Sequence, residues 1–202
     1  MCIRDRFSGK IGVALVTAGP GLLNAVSALY SAARSETPVL LISGDAASKL
    51  DGRGAFQELD QISITRTITK ISLRPTQPAD ILPALAKTIV AAQAGTPGPA
   101  HLALPVDVLS SLVDLEALPA IDPIDARGLS VAQTKELVDA LNLAERPVLI
   151  TGPQCNRSRQ PNVNAILSSG LGMPLICLES ARGLSDTFYG NLPDLLASAD
   201  LI

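Results

Sequence analysis

Residues 17–26, TAGPGLLNAV, decide how this chain is read. They follow a near-continuous apolar run, IGVALV at Ile11–Val16, and open a helical pattern that continues to Ala33. A glycine-rich turn between a strand and a helix is usually an anion site, because backbone N–H groups converge at a helix N-terminus. This turn lacks the Lys-Ser/Thr pair of a P-loop and the three spaced glycines of a dinucleotide fingerprint. Pro20 also removes one donor from the place where a phosphate cradle needs it. The turn therefore calls for a ligand of another kind, or for none.

Working outward, strand-like runs alternate with helix-like ones, the pattern of a parallel sheet with helices on its faces. Strands are expected at Ile11–Val16, Val39–Ser43, Ala100–Leu104, Val148–Thr151 and Leu175–Leu178. Helices are expected at Leu22–Ala33, Pro78–Ala94, Val131–Leu143 and Val163–Gly170. Pro78 suits a first helical turn, and Ser130 is an N-cap ahead of Leu137, Val138 and Leu141. Residues 118–128, LPAIDPIDARG, show no periodicity and two prolines, so they read as a linker between two α/β units at 1–117 and 129–202.

Composition narrows the function. Of 202 residues, 47% are hydrophobic and 17% charged, enough for a buried core and far from a disordered composition. A net charge of −3 argues against a nucleic-acid surface, and three Phe, two Tyr and no Trp supply no base-stacking platform. No apolar run reaches the roughly 18 residues that span a bilayer, and MCIRDRF at the start has no signal-peptide core. Cys2, Cys155 and Cys177 form no C-x-x-C pair, which points to reduced thiols in a cytoplasmic protein, or simply to small buried hydrophobes. Both ends read as cuts: MCIRDR leads straight into a strand, and ASADLI stops as another begins.

Three further stretches join the opening one: GRGAFQELDQISITRTITK (52–70), GTPGPAHLALPVDV (95–108) and the SGD after VLLI (39–45). In this order, T-x-G-P-G, A-F-Q-E, I-T-K and G-P-x-x-L-x-x-P-x-D resemble the pyrimidine-binding domain of thiamine-diphosphate enzymes, especially the acetolactate synthase large subunit. The resemblance runs from Phe7 to Val108, and from Arg127 the chain resembles the first half of that family's Rossmann-like central domain. It implies an α/β fold: a parallel-sheet pyrimidine-binding domain, then part of the central domain.

The resemblance also implies roles. Gly19, Pro20, Gly21 and Asn24 would lie beside the cofactor's aminopyrimidine ring, where glycines permit close backbone approach. Phe56 would be an apolar wall for substrate and Gln57 a hydrogen-bond donor to a 2-keto acid or its adduct; otherwise AFQE is a helix start with Phe56 as a core anchor. Lys70 would line a channel for an anionic substrate, or be a solvated strand-end lysine; the histidine that often follows it is Ile71 here. His101 has no partner motif and reads as structural. Asp45 stands where many acetolactate synthases carry glutamine, and with Ala46 in place of glycine it forms no metal motif, so no metal ligand is assigned in this chain.

The family's activating glutamate is expected upstream of Phe7, since neither Glu36 nor Glu58 matches its motif. The domain that holds the diphosphate and Mg²⁺ is expected beyond Ile202. Pro153 and Gln154 stand where flavin-binding members carry glycine, which argues against FAD. The implied reaction is decarboxylation of a 2-keto acid with carboligation of the two-carbon unit, the chain alone being inactive. Rival readings are an oxalyl-CoA decarboxylase-like or benzaldehyde lyase-like enzyme, or a non-catalytic α/β binding module. The helix after the turn is apolar over most of its circumference, which with the resemblance implies a homo-oligomer, at least a dimer.

Overall fold

In the computed structural model of the chain, residues 10–114, 128–155, 162–178 and 190–202 are described. They fall into two compact units, residues 1–124 and 125–202. The proposed linker at 118–128 lies outside the described residues except for Gly128, as do Cys2 and Phe7.

The first unit contains β1 (Gly12–Val16), α1 (Pro20–Arg34), β2 (Val39–Asp45), α2 (Gln61–Thr65), β3 (Ser72–Leu73), α3 (Ile81–Gln93), β4 (Pro99–Pro105) and α4 (Val106–Leu109). Its four strands form one parallel sheet in the order β1-β2-β4-β3. β2 and β4 are central, and this is visible in their sequences: VLLISGD and PAHLALP are buried almost throughout, as strands covered on both faces must be. β1 is an edge strand, and its alternate residues Val13 and Leu15 are exposed. On α1, Leu22, Leu29 and Ala32 are buried and Ala25 lies with them, a helical stripe that packs on Val39 and Leu41 of β2. Burying a leucine side chain contributes about 1.5–3 kcal/mol, so this stripe fixes α1, and with it the turn at its start.

The helix expected from Pro78 begins as a short 3₁₀ turn at Pro78–Asp80 before α3 proper. Pro83 is tolerated as the third residue of α3 because the first-turn amides have no intrahelical partner.

The second unit holds α5 (Val131–Leu143), β5 (Leu149–Thr151), α6 (Val163–Leu171), β6 (Leu175–Cys177) and α7 (Leu192–Ser198), with β5 and β6 paired in parallel. Ser130 and Gln133 form a reciprocal capping box at the start of α5. Gly172, in the left-handed region at φ 62°, ends α6. Cys155 is half-buried and Cys177 exposed, and both are free thiols. Neither is the fully buried small hydrophobe that is one sequence reading of these residues.

Candidate functional site

The carboxyl ends of parallel strands are where open α/β sheets place their ligands, and the opening turn sits there, directly after β1. Pro20 is the first residue of α1 and no side chain caps the helix; the preceding residue, Gly19, has φ 54° and ψ −107°. A side chain is excluded at Gly19 for a second reason. A Cβ there would stand 3.0 Å from the Gln57 carbonyl oxygen and 3.1 Å from the Gln57 Cβ. The amides of Gly21 and Leu23 donate within the turn, to Ala18 and Gly19 carbonyls at 3.2 and 3.1 Å. With those amides engaged and Pro20 lacking one, the turn does not converge donors on an anion. It presents the exposed ring of Pro20 and, one helical turn later, the exposed amide of Asn24.

Gln57 comes to this turn on a loop rather than a helix. Residues 51–57 run as turns, with Gly52 and Gly54 at positive φ. The Glu58 carboxylate closes them, accepting from the amides of Gly52 and Ala55; the hydrogen bond from Gly52 is the main cause holding its pKa below the usual carboxylate value. The nearby helix, α2, starts only at Gln61, capped by Asp60, which accepts from the Ser63 amide at 3.0 Å. AFQE is thus not a helix start. Phe56 is 87% exposed and anchors no core. Gln57 has φ 60°, a conformation that costs a non-glycine residue on the order of 1–2 kcal/mol. The Thr17 hydroxyl donates to its side-chain oxygen at 3.4 Å.

Behind the loop lies a charged cluster that sequence reading did not assemble. Asp45, buried at the end of β2, accepts from the Ala46 amide and the Gln61 Nε2, both at 2.8 Å. It also accepts from Arg74 Nε at 2.6 Å. The two terminal nitrogens of Arg74 reach Asp51 at 2.8 and 2.9 Å in a two-pronged pair. That pairing, with Asp51 first, raises the Arg74 pKa. Arg74, Asp45, Asp51, Glu58, Leu59 and Gln61 line much of a cavity of about 240 Å³. Gln61, 1% exposed, donates to the Gly44 carbonyl and to Asp45, but its Oε1 has no partner among the described residues. An unsatisfied buried acceptor costs about 1–3 kcal/mol. Among the described residues no group of three or more His, Cys, Asp or Glu could hold a metal ion.

Two other sequence candidates lie apart. The Lys70 amide bonds to Pro99, the first residue of β4, at 2.8 Å, and its ammonium donates to the Ala94 carbonyl. Its stem packs beside Gly98, and burial lowers its pKa. Lys70 therefore stands at the amino end of the sheet, and this unit does not bring it to Gly19, Pro20, Asn24, Phe56 or Gln57. His101 is fully buried, with Nε2 2.8 Å from the Ser43 hydroxyl and Nδ1 2.9 and 2.8 Å from Thr65 and Ser72. Desolvation pushes its pKa down to about 4, so it is neutral and saturated with partners, as a structural histidine is.

Comparison with known proteins fits this geometry. Residues 4–64 match the family model described as "Thiamine pyrophosphate enzyme, N-terminal TPP binding domain". Human 2-hydroxyacyl-CoA lyase 2 is 34% identical over 216 residues, covering 89% of this chain and 34% of the relative. The acetolactate synthase isozyme 3 large subunit of Escherichia coli strain K12 is 32% identical over 185 residues, covering 85% of this chain and 31% of the relative. Among solved structures, the thiamine diphosphate-dependent 4-hydroxybenzoylformate decarboxylase of Rhodococcus jostii RHA1 superposes with a TM-score of 0.76 at 25% identity, covering 86% of this chain and 34% of that one. The chain thus spans about a third of the length of the relatives it matches. Residues 4–64, which include the Gly19 turn and the loop that meets it, thus belong to the thiamine pyrophosphate enzyme N-terminal domain family.

Proposed function

We propose that this chain supplies the pyrimidine-binding unit, and the first part of the central domain, of a thiamine-diphosphate enzyme that decarboxylates a 2-keto acid and ligates the product to a second carbonyl compound. The observation that carries this reading is the contact of the Gly19 turn with the Gln57 backbone at the carboxyl end of the sheet. The residues present fit the group: Gly19, with no Cβ, lets the Gln57 backbone close on the turn, and Pro20 and Asn24 are exposed beside it. Gly19, Pro20, Gly21 and Asn24 would hold the pyrimidine. When bound, the cofactor supplies a carbon nucleophile and an electron sink for the bond beside a carbonyl. Phe56 excludes water from that bond, and the Gln57 amide donates to the oxygen on which charge accumulates. Mg²⁺ would be held by a domain outside this chain, and the chain alone is expected to be inactive. Leu23 and Tyr30, exposed on α1, support a second copy packing there.

A second reading is cleavage of a 2-hydroxyacyl thioester. It is favoured by the human lyase relative and by the position of Lys70, which leaves a carboxylate substrate without that cation at this edge. Steady-state kinetics of the whole protein on 2-keto acids and on 2-hydroxyacyl-CoA separates the two. In either case Gln57→Ala should lower kcat/KM about 10- to 1,000-fold, with thiamine diphosphate affinity unchanged and stability altered by less than about 0.5 kcal/mol. A variant turning over at the parental rate would remove Gln57 from the site.

A further inference from the structure

We propose that Arg74 is a positioning residue: it latches the loop of residues 51–58 to the end of β2 and so sets where Phe56 and Gln57 stand against the Gly19 turn. The inference rests on the reading of that loop as substrate-facing.

The geometry forms a continuous chain of contacts. Asp45 is fixed at the end of β2 by the Ala46 amide and by Gln61, which also holds the Gly44 carbonyl. Arg74 bridges from this fixed carboxylate to Asp51, the first residue of the loop, with two parallel bonds. Glu58 ties the loop's interior at Gly52 and Ala55. Its far end, Gln57, lies against Gly19. One guanidinium thus connects the immobile sheet to the loop, and the loop to the turn. A planar fork is the side chain suited to this, since it fixes direction as well as distance, which an ammonium does not.

Two observations favour position over stability as the role. The Asp51 side chain is 51% exposed, and ion pairs with an exposed partner add little to folding. The segment that leads into the loop has an independent anchor: Asp107 accepts from the Ser48 amide at 2.9 Å, the Ser48 hydroxyl at 2.9 Å and the Lys49 amide at 3.3 Å. Losing the Arg74–Asp51 pair should therefore loosen the loop without unfolding the unit.

The test compares Arg74→Lys, which keeps charge but not the fork, with Asp51→Asn, on the exposed side of the pair. In the 202-residue chain, amide hydrogen exchange at Gly52 and Ala55 should accelerate at least tenfold in both variants, and tryptic cleavage after Arg53 with it. Leu41 and Leu102 in the central strands should keep their protection. In the whole protein kcat should fall about tenfold, with the thiamine diphosphate midpoint moving less than twofold; the double variant should be no worse than either single one. Unchanged exchange in Asp51→Asn, or a loosened loop with unchanged kcat, would overturn the proposal. If the parental protein shows no thiamine-diphosphate-dependent turnover, the functional reading fails, and the exchange arm alone decides the latch.

Discussion

Two polar regions of the first unit differ in kind. Around buried His101, the hydroxyls of Ser43, Thr65 and Ser72 occupy both ring nitrogens. At the loop of residues 51–58, polar groups are braced but not used up: Gln57 is held in the left-handed region with one long hydrogen bond to its side-chain oxygen. Saturated partners and deep burial describe a group that serves the fold. A strained, half-exposed amide on a firmly tied loop is what the ligand-facing role proposed for Gln57 calls for.

The sharpest way to break this contrast is to remove His101. His101→Ala empties a close-packed site and leaves the Ser43 hydroxyl without the ring nitrogen it faces, so it should cost about 3–5 kcal/mol in urea unfolding. A loss as small as that of a surface change would abolish the distinction. Next comes acid. The folded His101 pKa of about 4 lies below the unfolded value of 6.5, so the ring's contribution is complete above pH 6.5 and is lost as pH falls toward 4. That loss is on the order of 3 kcal/mol. Denaturation midpoints at pH 7 and pH 4 should show it, and His101→Gln should flatten it. Asp107, held at about 2 chiefly by the Ser48 amide, adds a further loss below its ordinary 3.8.

The site side of the contrast predicts smaller effects with the opposite pattern. Gly19→Ala meets both a left-handed backbone and the Gln57 carbonyl, and should cost about 1–3 kcal/mol in thermal unfolding. Gln57→Gly should instead stabilise the chain by about 0.5–1 kcal/mol, because glycine accepts the φ that glutamine resists, while lowering turnover of the whole protein. Stability and activity moving together there would contradict strain held for function. Lys135→Ala, which removes an exposed pair with Asp139 at 3.3 Å, should change stability by less than about 0.5 kcal/mol.

What could be read in the sequence follows physical rules. β1, β2, β4, α1, α5 and α6 carry long apolar runs or helical stripes and were placed within a few residues. β3 is two residues long, too short for any periodicity. α2, QISIT, consists largely of β-branched residues that disfavour helix, and only the Asp60 cap marks its start. α7, LPDLLAS, opens with a proline in its first turn and was not anticipated. In the site, the turn and the AFQE loop were visible because their chemistry is contiguous in sequence. The Asp45–Arg74–Asp51 cluster was not, because its members are 29 and 23 residues apart and only the sheet register brings them together. Asp45 stood out in the sequence as a departure from the family pattern, but nothing contiguous with it named Arg74 as its partner.

The second glycine of the turn has a consequence for how this sequence can change over generations. A Cβ at position 21 would stand 2.6 Å from the Thr17 Cγ2, and a β-branched side chain has few rotamers with which to retreat. Position 21 can therefore not vary alone. Alanine at 21 becomes acceptable only once position 17 has shed its methyl, whereas serine at 17 is acceptable at any time. In a library randomised at both positions, folded survivors should never pair threonine or valine at 17 with a side chain at 21. The path between the two permitted pairings runs in one order only: position 17 first.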